Sequence, residues 1–373
     1  MTTARQLPSS AIEPNMIDRI LDDYRVVVCG GTGGVGKTTV SAALGIAAAQ
    51  RGKRVLVLTV DPARRLANAL GLDQIEHQLV EIPTGHSGQL WISMLQPDRI
   101  FEHFIDQVDV AAVDKQRLKQ NRLFQQLSTT LSGSQEFTSL MWLQQLAASG
   151  DYDLIILDTP PSDHAIDFIH APERIAALFE GTVAKFFAGK VTRLGILNKL
   201  LVGSTQLWLK ALSKLTGAEF IDAVSDFVTS IDPFSQVISA RSRAAERLLK
   251  SDQTAFFLVA SPDPAKLEQG QAFHDELQHS GYRLQAVVIN RAYPCWFQQS
   301  VDSGIGSTKL QGHMQRYYQS RIDQVRASPL VSDNAIPVME LPELVGPLAG
   351  PDELQQLANY LLAEPAISAG TDE

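Results

Sequence analysis

Cysteine is scarce: the 373 residues hold only Cys29 and Cys295. Two thiols cannot build a disulfide framework, and Cys295 has no partner at the two-residue spacing of a zinc clamp. This usage implies a reducing, cytoplasmic setting. The eight histidines are scattered, without metal-ligand spacing. No stretch of about 20 residues is apolar enough to span a bilayer. The first 23 residues carry Glu13, Asp18, Asp22 and Asp23 where a secretory signal would place an apolar core. A soluble chain is expected. Surplus positive charge is missing too. With a net charge of −9 and a pI near 5.4, no nucleic-acid partner is expected. Any anionic ligand must be held by local positive potential. No internal repeat is visible.

What is present is a large apolar fraction, 45%, with 20% charged residues, enough for a substantial core. An apolar run, Arg25 to Cys29, leads into Gly31, Thr32, Gly33, Gly34, Val35, Gly36, Lys37, Thr38 and Thr39, followed by an Ala-rich helical stretch. This is G-x-x-x-x-G-K-[ST] in the strand–loop–helix setting that gives the motif meaning. Glycines let the loop curl its N–H groups inward, and the helix adds its unpaired N–H groups and positive dipole end. The result is a phosphate cradle. Lys37 is placed to reach the β- and γ-phosphates of a bound nucleotide, and the Thr38 hydroxyl to sit on Mg²⁺.

Along the chain, strands are predicted over residues 24–30, 54–60, 90–94, 154–158, 254–260, 284–290 and 335–341, alternating with helices. That pattern predicts a doubly wound α/β fold, a mostly parallel sheet of the P-loop NTPase kind, with helical insertions. The expected division is an N-terminal arm (1–23, with a helix over 15–23), one ATPase domain (24–362) and a flexible tail (363–373). Within the domain, the core is assigned to 24–96, 151–171 and 251–362, and a helical subdomain to 97–150 and 172–250.

Ligands of open parallel sheets bind outside the carboxyl ends of the strands. Asp158 closes the run Leu154-Ile155-Ile156-Leu157, a Walker-B arrangement whose carboxylate would hold the Mg²⁺ shell. Asp61 ends another strand and could position the attacking water. A helix N-cap is the plain alternative for both. His164, just after Asp158, falls where a nucleotide-sensing switch would sit, or near an ordinary helix start. Asn290, at a later strand end, could offer its amide to an adenine edge or simply form a turn.

Residues 181–218 contain no Asp or Glu but six basic residues: Lys185, Lys190, Arg193, Lys199, Lys210 and Lys214. Phe, Trp and Leu are interleaved at helical spacing. Such a stretch suits an anionic membrane surface or an apolar client helix. It equally suits a helical subdomain packing on its own core. Peripheral contact at the inner membrane surface is thus an option.

Taken together, these motifs resemble the ArsA-type ATPases, which include arsenite-pump ATPases and the guided-entry ATPases that target tail-anchored proteins. The phosphate loop is similar, and Thr59 to Leu70 resembles the family's first switch, with Asp61 on the water-activating carboxylate. Tyr152 to His164, followed by Phe168 and Pro172, resembles the second switch. Val287 to Arg291 is similar to the adenine-reading strand end, and Glu340 to Gly346, including Pro342, to the late loop that closes over the base. The resemblance implies an ATPase with ATP and Mg²⁺ as cofactors and a homodimer as the working form. Its nucleotide state would be coupled to the helical subdomain, which docks a client or membrane.

Three departures qualify this. Thr32 stands where relatives carry a lysine that reaches across the dimer, a kind of contribution worth about 10³–10⁵ in rate. Turnover is then slow, or another cation substitutes; Arg64 and Arg65 are the candidates. The guided-entry Cys-x-x-Cys pair is absent. Two cysteines also cannot supply a three-thiolate arsenite site. The alternatives are the energising subunit of an anion efflux pump and a slow, nucleotide-gated scaffold. Partitioning ATPases lack insertions like the roughly 75 residues after Pro172.

Overall fold

A computed structural model describes residues 16–60, 79–95, 97–121, 124–125, 132–160, 169–173, 226–227, 229–297, 309–332, 336–344 and 351–363. Chain order begins with helix α1 (Met16–Asp23), β1 (Val26–Gly31), α2 (Lys37–Gln50) and β2 (Arg54–Thr59). Next come β3 (Val80–Ile82), β4 (Gln89–Met94), α3 (Pro97–Gln107), α4 (Ala112–Gln120), α5 (Ser132–Ser149) and β5 (Leu154–Asp158). The rest is α6 (Ser235–Lys250), β6 (Thr254–Ala260), α7 (Pro264–His279), β7 (Leu284–Pro294), α8 (Lys309–Arg326), β8 (Val338–Glu343) and α9 (Pro351–Ala363). A single turn, Pro329–Ser332, precedes β8.

The strands form one eight-stranded sheet, ordered β3-β4-β2-β5-β1-β6-β7-β8. Every pairing is parallel except β3 with β4. This is the expected α/β architecture. The central strands β1, β5 and β6 are buried along their whole length, as near-continuous apolar runs require when both faces are covered. On one face, Val27, Val57, Ile156, Phe257 and Val288 pack under α2, α9 and α1. On the other, Val28, Leu58, Leu157, Leu258 and Ile289 pack with residues of α5, α6, α7 and α8. Phe104, Ile105, Met141, Phe234 and Ile238 centre a separate cluster among the inserted helices.

Local structure differs from expectation at three places. The short antiparallel β3 went unforeseen; three residues carry too little periodicity to register. Pro342, expected in a loop, lies inside β8 in register with Tyr293. A proline fits there because β8 is an edge strand, so one ladder donor can be missing. Strand β7 also runs four residues past its expected end at Asn290, through an irregularity with β8 between Ile289 and Tyr293.

Candidate active site

The sheet order places β1 between β5 and β6, so the loop leaving β1 opens at the centre of the carboxyl edge. Gly31 allows the exit: at φ +147°, an added Cβ would meet the Val259 carbonyl oxygen at 2.1 Å. Gly36, at φ +93°, precedes α2 in the left-handed conformation, so the helix begins at Lys37 with its N–H groups turned to the loop. Lys37 is only 7% exposed, and its Nζ donates to the Thr32 carbonyl at 3.0 Å. The ammonium therefore lies against the loop, as a phosphate ligand requires.

Parallel registers Cys29↔Asp158 and Thr59↔Asp158 put the carboxylate between the ends of β1 and β2. Asp158 is 1% exposed, and its Oδ2 accepts from Thr38 Oγ1 at 2.7 Å and Thr59 Oγ1 at 3.0 Å. A buried carboxylate needs such donors to remain charged. Thr159 fixes the next step of the chain: its hydroxyl donates to the Cys29 carbonyl at 2.8 Å. The sequence reading did not assign Thr59 a role. Its signal was a hydroxyl ending an apolar strand, which becomes informative only once β2 is known to neighbour β5.

Asn290, 4% exposed, comes from two strands away on the other flank. Its Nδ2 donates to the Val35 carbonyl at 2.8 Å and stands 2.3 Å from where a Cβ on Gly36 would be. Asn290 thus supports the phosphate loop with one N–H, and its Oδ1 acceptor and second N–H are not used by that bond. Pro342 is buried beside the same strand end. Cys29 sits in the core, where burial pushes its thiol up to about 12.

The geometry therefore brings together Gly31 to Thr39, Asp158 and Asn290. Asp61, Arg64, Arg65, Ser162 to His164, Phe168 and residues 181–218 lie outside the described residues. Hydroxyl and carboxylate oxygens at Thr38 and Asp158 are the hard donors that suit Mg²⁺.

A glycine-rich loop at the centre of a parallel sheet, with a buried lysine and a helix-start hydroxyl bonded to a carboxylate on the next strand, defines a P-loop nucleoside triphosphatase. The model of the anion-transporting ATPase family matches residues 24–363, and the chain belongs to that ArsA family. Curated relatives agree. A putative arsenical pump-driving ATPase 1 of Aquifex aeolicus is 24% identical over 91% of this chain and 79% of its own length. ATPase ARSA2 of Chlamydomonas reinhardtii is 25% identical over 99% and 92%, and ATPase GET3 of Ajellomyces dermatitidis is 26% identical over 97% of both chains. The protein is an ATPase.

Proposed function

We propose that the chain is a Mg²⁺-dependent, ATP-hydrolysing switch that works as a homodimer and couples its nucleotide state to a helical client- or membrane-docking subdomain. The observation that carries this reading is Asp158, whose Oδ2 accepts hydrogen bonds from both Thr38 and Thr59. A carboxylate on one strand linked to the loop hydroxyl and to the strand leading to Asp61 can report the state of the phosphates to both switch segments. When bound, Mg²⁺ would supply charge neutralisation between the β- and γ-phosphates. In this reading Lys37 and the amides of Gly34, Val35 and Gly36 hold the phosphates, Thr38 and Asp158 orient the metal shell, and Asp61 positions water. Asn290 and Pro342 line the base side. Residues 181–218 supply the docking surface for an apolar helix or an anionic membrane.

Hydrolysis measured alone and with anionic liposomes at low and high salt, beside Lys37→Ala, tests the proposal. Stimulated turnover at low salt that vanishes in Lys37→Ala is the expected result. Turnover unaffected by Lys37→Ala would overturn the assignment of the site, and absence of liposome binding at low salt would remove the membrane version. Light scattering with and without ATP tests the homodimer.

Energising an anion efflux pump is the second reading, favoured by the similarity to the arsenical pump-driving ATPase of Aquifex aeolicus. It predicts stimulation by arsenite or antimonite. The cysteine count speaks against it, because Cys29 and Cys295 alone cannot supply a three-thiolate arsenite site. A slow, nucleotide-gated scaffold is the third reading, supported by Thr32, and single-turnover hydrolysis separates it from the first.

A further inference from the structure

We propose that α8 presents a docking surface for a short acidic segment of a partner protein. The proposal does not rest on the ATPase reading, which gives this helix no role. In sequence α8 carries Lys309, Arg316, Arg321 and Arg326 against a single acid, Asp323, in a chain of net charge −9. Ile322 and Val325 commit one face to the core, and Arg326 pairs with Glu340 at 3.3 Å. The outward face is less ordinary. Four large apolar side chains stand exposed among the described residues, and two of them, Met314 and Tyr317, lie one turn apart on α8. Arg316 and Arg321 flank them. Arg316 donates to His313 Nδ1 at 3.1 Å, and the Arg321 guanidinium lies 5.7 Å from the centre of the Tyr317 ring. Neither has an acidic partner among the described residues. The helix's own acid does not serve them, since Asp323 accepts from Gln319 Nε2 at 3.0 Å.

The patch is braced from within. Rings step from core to surface: Tyr293, 4% exposed, lies 5.9 Å from Phe297, Phe297 6.2 Å from Tyr318, and Tyr318 5.2 Å from Tyr317, 57% exposed. Trp296 closes on Tyr318 at 5.9 Å. A surface ring held by such a chain loses little freedom on binding, as an interface anchor requires. Composition selects the partner. Tyr, Trp, Met and Arg are enriched at protein interfaces, and Lys is depleted there. A membrane-lying helix embeds an apolar face, but α8 has that face in the core and offers only Met314 and Tyr317 outward. Two guanidiniums without carboxylates match Asp or Glu side chains, which such forks bind in bidentate fashion. Met314 and Tyr317 beside them give contact to apolar residues of the same segment.

Fluorescence anisotropy with a labelled amphipathic peptide, Leu at helical spacing and Glu between, tests this beside an analogue with Lys for Glu. The Glu peptide should bind, the Lys peptide should not, and salt should weaken the binding. Arg316→Glu with Arg321→Glu should abolish it. Tyr317→Ala should lower affinity about tenfold or more, while basal ATP hydrolysis and melting temperature stay unchanged. If the charge reversal unfolds the chain, Arg316→Gln with Arg321→Gln carries the same comparison. Equal binding of both peptides, no binding of the Glu peptide, or binding that ignores these variants would overturn the proposal. Phosphatidylserine vesicles that bind the wild-type chain but not the same variants would reassign the surface to lipid and overturn it too.

Discussion

Thr32 is completely buried, and its hydroxyl has no hydrogen-bond partner among the described residues. An inward, enclosed side chain at this position does not reach outward to a second subunit. Any cation that completes the site must come from elsewhere. Leaving a buried hydroxyl unsatisfied costs about 1–3 kcal/mol, whereas an isosteric apolar group there costs little. Thr32→Val should therefore stabilise the ligand-free protein by roughly 1 kcal/mol in denaturant unfolding. A loss of stability would mean that the hydroxyl is already satisfied. The neighbouring Asn290 shows how a residue can be found for a partly different reason than the one that singled it out. Its amide was singled out for an adenine edge or a turn, and its Nδ2 also donates to the Val35 carbonyl of the phosphate loop.

The phosphate loop leads into helix α2, and strand β2 ends at Thr59 beside Asp158, so their seating matters. Gly45 lets α2 lie close on the sheet: a Cβ there would stand 2.7 Å from Val57 Cγ2. The far end of β2 is tied by Arg54, whose guanidinium donates to Asp153 Oδ1 at 2.8 Å and whose backbone N–H donates to Oδ2 at 2.8 Å. These bonds from Arg54 hold the Asp153 carboxyl below its ordinary value. A depressed carboxyl stabilises the fold above its unfolded value and loses that contribution as pH falls through the folded one. Both partners are more than two-fifths exposed, so solvent screening limits the gain. Asp153→Asn should cost about 0.5 kcal/mol at neutral pH. That difference should close as pH falls from about 4 through the lower folded value, read from urea midpoints. A cost that persisted in acid would show that packing, not charge, is lost. Helix α1 is a smaller tie. It packs Ile17, Ile20 and Leu21 against the core, while Asp18 and Asp22 pair with Arg51 at the end of α2.

The described residues include no helix long and apolar enough to cross a membrane and no group of three or more metal-binding side chains. In the proposed reaction Mg²⁺ is held together with the nucleotide phosphates, and the two should stabilise the chain together. A ligand at 100 times its Kd that binds only the folded state adds about 2.7 kcal/mol. ATP with Mg²⁺ should raise the melting temperature, EDTA should remove most of the increment, and Asp158→Asn should respond to ATP alike with or without Mg²⁺. An increment in Asp158→Asn that still depends on Mg²⁺ would sink the role of this carboxylate.

Local chemistry was enough to determine the phosphate loop, the buried strands and the strand-ending Asp158. Glycines that permit positive φ, β-branched runs and an acid at a strand end each act within a few residues of themselves. Leu154 to Asp158 and Thr254 to Ala260 appear with the bounds that their apolar runs marked. The partners across the site were decided by the tertiary structure alone. Thr59 reaches Asp158 because β2 inserts beside β5, Asn290 reaches Val35 because β7 lies two strands from β1, and Pro342 joins a strand because β8 is an edge. Strand order and register are properties of pairing between distant segments.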